Sequence, residues 1–149
     1  PLPPVISTEI ESSAAPSTLH ELLVDVDSWS VWSPHVASVE APSRRVGPGW
    51  TGVTRAFFSP AATPMFVSEV RPEGGYRWHS NAGPWRLDYD NAVEPATRGS
   101  TIRFTAELTG PMAPVIERLV APLSAYGQRR RMARLARTAE LFERHTPRT

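Results

Sequence analysis

The sequence contains no cysteine and no lysine. Without cysteine there is no disulfide framework, no thiolate metal site and no cysteine nucleophile. All 16 basic residues are arginine, and proline also occurs 16 times. Both biases fit a GC-rich coding sequence and carry no functional meaning. No run approaches the ~18 apolar residues of a membrane span. The opening Pro1-Leu2-Pro3-Pro4 lacks the basic segment and apolar stretch of a targeting signal, so the expectation is a soluble, cytoplasmic protein. The four histidines (20, 35, 79 and 145) are scattered, and no metal or cofactor is expected. His20-Glu21 begins an H-E-x-x-H pattern, but Val24 stands where the second histidine belongs. A G-x-S-x-G nucleophile elbow is also missing.

What is present is a 149-residue chain, 40% hydrophobic and 21% charged. That length suits one domain, expected over residues 5–145 with loose ends at 1–4 and 146–149, and a domain of this size buries roughly 68–70% of its unfolded surface. Charge is uneven: residues 1–75 hold 4 Arg against 8 acids, and residues 76–149 hold 12 Arg against 7 acids. The basic excess of the last 37 residues, 8 Arg against 3 Glu, reads as a solvated helix face with Arg130, Arg134 and Arg137 outward, while a nucleic-acid module would use Arg129, Arg130, Arg131, Arg134 and Arg137. Single-strand nucleic-acid binding would interleave aromatic residues with these arginines, and none is there, so nucleic acid is not expected as a partner.

Residues 5–13 alternate β-branched and polar residues and predict a strand. Pro16 suits a first helical position, and Thr18 with Glu21 has capping-box spacing. Leu19, Leu22, Leu23 and Val26 recur at helical spacing, and a second helical turn over Asp27–Trp32 must stop before Pro34. From there to about residue 110, Pro and Gly recur often enough to leave only strand-length segments. These are Val36–Glu40, Thr51–Ser59, Met65–Arg71, Tyr76–Asn81, Trp85–Glu94 and Ser100–Thr109. Short connections at Gly74-Gly75, Gly83-Pro84 and Arg98-Gly99 predict hairpins and an antiparallel meander.

In the last two strands Leu87, Tyr89, Asn91 and Val93, and Ile102, Phe104, Ala106 and Leu108, each share one face, so that face must be covered. The cover is a helical region over about 114–145. Its apolar residues form two stripes on roughly opposite sides, Ile116/Leu119/Leu123/Tyr126 and Met132/Leu135/Ala139/Phe142. A straight helix buries only one of them, which predicts a break or bend between Pro122 and Gly127.

The run Thr18–Pro34, with its amphipathic helix, Asp25-Val26-Asp27 and Trp29-x-x-Trp32-x-Pro34, resembles the START-like (SRPBCC) superfamily in its polyketide cyclase/dehydratase branch. Gly47-Pro48-Gly49, Tyr76-Arg77-Trp78, Gly99-Ser100-Thr101-Ile102 and the closing Leu135-Ala136 and Ala139-Glu140 extend the resemblance over residues 5–143. It implies an α+β helix-grip fold: a seven-stranded curved antiparallel sheet wrapped around a long C-terminal helix, in the order β-α-α-β6-α. Fold alone does not specify function.

Gly47-Pro-Gly-Trp-Thr-Gly52 matches G-x-G-x-x-G literally. Pro48 removes a needed amide and a strand follows, so it reads as a turn. Trp29 and Trp32 can stack on a ligand, while packing of the small helices onto the sheet accounts for at least one of them. With the Tyr89 face inward, analogous parity brings Phe66, Ser68, Trp78, Asn91 and Phe104 inward too. The parity of Thr51–Ser59 is open; the reading adopted places Arg55 and Phe57 inside. An aromatic lining with a few polar groups suits a small-molecule pocket, although aromatic side chains can also simply fill the space. A buried Arg55 needs a carboxylate or an anionic or carbonyl-bearing ligand, and a buried Asn91 needs a hydrogen-bonding partner. Arg77 and His79 face away and can pair with Asp88 or Asp90. Two functions fit. One is binding of a hydrophobic or amphipathic small molecule (a lipid, polyketide or aromatic metabolite), with Arg55, Phe57, Phe66, Ser68, Trp78, Tyr89, Asn91 and Phe104 as the ligand-binding set. The other, implied by the resemblance, is aldol-type ring closure of an aromatic polyketide, with Arg55 stabilising an enolate and Tyr89 or His79 moving protons.

Overall fold

The computed structural model describes residues 5–57 and 62–145. Strand β1 (Val5–Ser12) leads into helix α1 (Pro16–Val24), a 3-10 turn (Val26–Ser28) and the short helix α2 (Trp29–Trp32). Six strands follow: β2 (Val36–Glu40), β3 (Thr51–Ala56), β4 (Ala62–Arg71), β5 (Gly75–Ala82), β6 (Trp85–Ala96) and β7 (Gly99–Thr109). Helix α3 (Ala113–His145) closes the described chain. The strands form one curved antiparallel sheet in the order β1-β7-β6-β5-β4-β3-β2, and α3 packs against its concave side. The expected loose ends, 1–4 and 146–149, lie outside the described residues, as do Phe58 and Ser59 of the expected third strand.

Register determines which side chains enter the interior. Trp78 pairs with Tyr89, Tyr76 with Asn91, Asn91 with Phe104 and Phe104 with Thr8, so these residues share the concave face. The convex face carries the charges: Arg77 donates to Asp90 at 3.1 Å, and Arg103 bridges Glu9 and Glu94. Asp90 thus fills the outward pairing expected for Arg77, while His79 stacks on the Phe66 ring 5.3 Å away.

On β3 and β4 the expected parity is reversed. Gly52 pairs with buried Met65 and Thr54 with Thr63, so the even-numbered residues of β3 face inward and Arg55 faces out. Arg55 is exposed, Phe57 is 76% exposed, and Phe66 and Ser68 lie on the outer side. A β-bulge between Val67 and Glu69 adds one unpaired residue, Ser68. Val67 before it and Val70 after it therefore align with the concave residues Trp78 and Tyr76.

The Gly47–Gly52 segment is a turn: Trp50 N–H donates to the Gly47 carbonyl at 3.0 Å and β3 begins at Thr51. Helix α1 starts at Pro16, as expected, but without a capping box. The Thr18 hydroxyl donates instead to Glu143 of α3, which also accepts the Ala15 N–H at 2.8 Å. Glu140, one turn earlier, accepts the Ser12 hydroxyl. The C-terminal half of α3 thereby fastens β1 and α1 to the sheet.

Helix α3 runs without interruption through Pro122 and Gly127, so the expected break is absent. The two apolar stripes are not both buried, so no break is needed. Met132, Leu135 and Ala139 are sealed in the core, whereas Leu119 is 77% exposed and Leu123 and Tyr126 are also exposed. The N-terminal half of the helix meets the sheet at Ala113 and Glu117, and the hollow described next lies between the following stretch, Val120 to Gln128, and β6 and β7.

Candidate ligand cavity

Two adjoining hollows lie between the sheet and α3. The larger, about 950 Å³, is bordered by Leu87 and Tyr89 of β6, Ala106 and Leu108 of β7, and Ile116 and Val120 of α3. The smaller, about 340 Å³, lies under α2 and is bordered by Trp32, Met65, Tyr76 and Trp78. His35, Tyr89 and Arg131 border both, forming a waist where the lobes meet. The walls are mainly apolar, as in most small-molecule sites, and the larger volume is at the upper end of their usual range of roughly 300–1,000 Å³.

The waist is built by sheet register and helix pitch together. Tyr89 is held by the Trp78 ring, stacked 4.1 Å away at 14°. The buried Tyr76 phenol is hydrogen-bonded to Asn91, which gives Asn91 its partner. Burial pushes both phenols above the usual tyrosine range, keeping them protonated. His35 is held below the usual histidine range, first by burial and then by Arg131, so its neutral form dominates at pH 7.

Arg131 is the principal cavity-lining residue absent from the expected binding set. It projects from α3 with its Cζ 5.7 Å from the centre of the Trp32 ring. Its Nε is sealed from solvent with no hydrogen-bond partner, and it forms no ion pair among the described residues. Burial pulls its pKa down, yet a guanidinium remains charged near neutrality. The inward cation sought at Arg55 is therefore Arg131.

Two further polar side chains on the same helix face border the large lobe. Buried Glu117 accepts the Leu108 N–H through Oε1, while its Oε2 has no partner; Gln128 Oε1 is likewise buried without one. Seven-residue spacing from Glu117 to Ser124 and from Ser124 to Arg131 puts these groups on one face. That periodicity was available in the sequence, continuing the Leu135 stripe toward the N-terminus.

Of the expected binding set, Trp78, Tyr89 and Asn91 border the cavity, and Phe104 is packed in the adjacent core. Arg55 touches the rim of the small lobe but is exposed; Phe57, Phe66 and Ser68 border neither lobe. His79, the alternative base, faces away from both. Trp29 and Trp32 are core residues that also wall the small lobe; Trp29 donates to the Leu23 carbonyl and meets Trp50 edge-on. Buried His20 holds α1 to the sheet, its Nδ1 accepting the Gly75 N–H at 3.0 Å. Among the described residues no three His, Asp or Glu side chains form a metal cluster, and no helix is long and apolar enough to cross a membrane.

The family model described as "Polyketide cyclase / dehydrase and lipid transport" matches residues 3–140. No curated protein matches the chain by sequence. Several solved structures share the fold. A hypothetical protein, jhp0584, from Helicobacter pylori superposes with a TM-score of 0.76 at 13% identity, covering 91% of this chain and 88% of that one. Protein MLL2253 from Mesorhizobium loti gives 0.73 at 15% identity, covering 97% and 100%. StfQ, a di-domain ARO/CYC from the steffimycin biosynthetic pathway, gives 0.75 at 13% identity, covering 93% of this chain and 52% of its own.

Proposed function

Because this chain belongs to the polyketide cyclase/dehydrase and lipid transport family, we propose that it binds one amphipathic small molecule, a lipid, polyketide or aromatic metabolite, in the two-lobed cavity. The observation that supports this reading is a large apolar hollow bordered by buried polar atoms that no described residue satisfies. The walls include exposed apolar side chains, Val120, Leu123 and Tyr126, a contiguous surface that an apolar molecule would cover. Apolar burial along Leu87, Leu108 and Val120 supplies affinity, while polar groups at the waist orient the molecule. Incubation with lipid and polyketide extracts, followed by native mass spectrometry, is expected to leave one retained species per chain. Ala106→Trp, which intrudes on the large lobe, is expected to weaken retention, and Phe66→Ala on the outer face to leave it unchanged. No retention from either extract contradicts the reading.

A second reading, polyketide ring closure, is favoured by the meeting of His35, Tyr89 and Arg131 at the waist. An aldol closure removes a proton beside one ketone, joins that carbon to a second carbonyl carbon and protonates the resulting alkoxide. Neutral His35 is a proton acceptor, the Tyr89 phenol a donor, and Arg131 takes the enolate-stabilising role once assigned to Arg55. Turnover of poly-β-ketone substrates by the wild type and its loss in Arg131→Met are the expected results. Equal rates in the two proteins eliminate this mechanism.

A further inference from the structure

We propose that the ligand carries a single carboxylate head and that Arg131 is the residue that holds it. The inference rests on the cavity reading above and adds the chemical class of its occupant. A half-buried guanidinium whose Nε is sealed and unpaired is a costly arrangement. Among the described residues no acid offsets it; its neighbours at the waist are the protonated phenols of Tyr76 and Tyr89 and the neutral imidazole of His35. The Trp32 ring returns only part of that cost. A carboxylate arriving through either lobe meets the part of the Arg131 guanidinium that borders both lobes, and matches its planar fork.

The same helix face also fixes orientation. Gln128 lies about one turn from Arg131, and Glu117 about 21 Å along the axis at 1.5 Å per residue. Both border the large lobe and carry acceptor oxygens. The Glu117 carboxylate disfavours a second anionic group and the Gln128 amide suits a hydroxyl, so the head sits at the waist and an apolar, hydroxyl-tolerant body extends toward Glu117. The chemistry is shared by aliphatic acids and by fused-ring aromatic acids.

Matched pairs test it: dodecanoate against its methyl ester, and anthracene-2-carboxylate against its methyl ester, titrated calorimetrically into the full chain. The expected result is a tenfold to hundredfold preference for the acid in at least one pair, about what a charge-assisted hydrogen bond contributes. That preference is expected to vanish in Arg131→Met while ester binding persists, and the pair that responds identifies the body as aliphatic or aromatic. Equal binding of acid and ester by the wild type, or a preference that survives in Arg131→Met, overturns the inference and leaves the cavity reading standing. Binding of none of the four overturns both. An independent readout needs only the wild type: the Arg131 Nε–H resonance is expected to shift with the acid and not with the ester, and an unmoved signal during saturable acid binding counts against the proposal.

Discussion

Replacing Arg131 by Met is expected to stabilise the ligand-free protein, an unusual direction for a substitution in an interior. Wild type leaves a charged donor unsatisfied at Nε, which costs about 1–3 kcal/mol. Its position 5.7 Å from the Trp32 ring centre returns roughly 0.5–2 kcal/mol. Methionine keeps much of the apolar stem and adapts to irregular space. The net gain is about 1 kcal/mol, which at a urea dependence of ~2 kcal/mol per molar raises the midpoint by about 0.5 M with no change in slope. Thermal scans are expected to show a rise of about 2–4 °C. Excess carboxylate ligand reverses the order, because only the wild type gains strongly from mass action. A lower midpoint for the ligand-free variant refutes the reasoning, since it means the guanidinium is already satisfied within the fold.

Other expectations test the frame around the cavity. Burial holds His20 below its ordinary range and its Nδ1 accepts the Gly75 N–H, so the folded state favours neutral imidazole. The unfolded chain therefore takes up the proton first. Stability is full above about pH 6.5 and declines as pH falls from there through the depressed folded value; urea melts from pH 7.5 to 5 should show the decline, flattened in His20→Asn, which keeps an acceptor. An unchanged slope contradicts the assignment. Gly75 has φ +82°, and an added Cβ would lie 1.8 Å from the Asn91 carbonyl oxygen. Gly75→Ala is therefore expected to cost more than about 2 kcal/mol, measurable by urea denaturation, and a neutral result would mean the β5–β6 pairing is misjudged. Arg55→Ala is expected to leave both stability and ligand retention unchanged, because the side chain faces solvent; a loss of binding would restore its original role.

Much of this architecture was legible in the chain. Pro and Gly set the limits of β5, β6 and β7, and their period-2 alternation placed Trp78, Tyr89, Asn91 and Phe104 on the covered face. Parity failed where that signal is weak. Thr51–Ala56 has little apolar alternation, Met65-Phe66-Val67 is apolar on both sides, and the bulge at Ser68 shifts the phase within one strand. Arg131 was hidden for a different reason. Adjacent arginines at 129, 130 and 131 differ only in helical phase, and phase decides burial only when the packed side of α3 is known. Two opposed apolar stripes left that side ambiguous. A helix that packs along its second half, touches the sheet again at Glu117 and leaves Val120 to Gln128 beside open space resolves the ambiguity, and the same geometry creates the large lobe.

The occupied cavity is tested most directly by amide and methyl NMR of the full chain titrated with anthracene-2-carboxylate. The account predicts saturable shifts concentrated at Leu87, Tyr89, Leu108, Gln128 and Arg131. Shifts confined to the convex face around Phe66 and His79, or none with either this acid or dodecanoate, would contradict it.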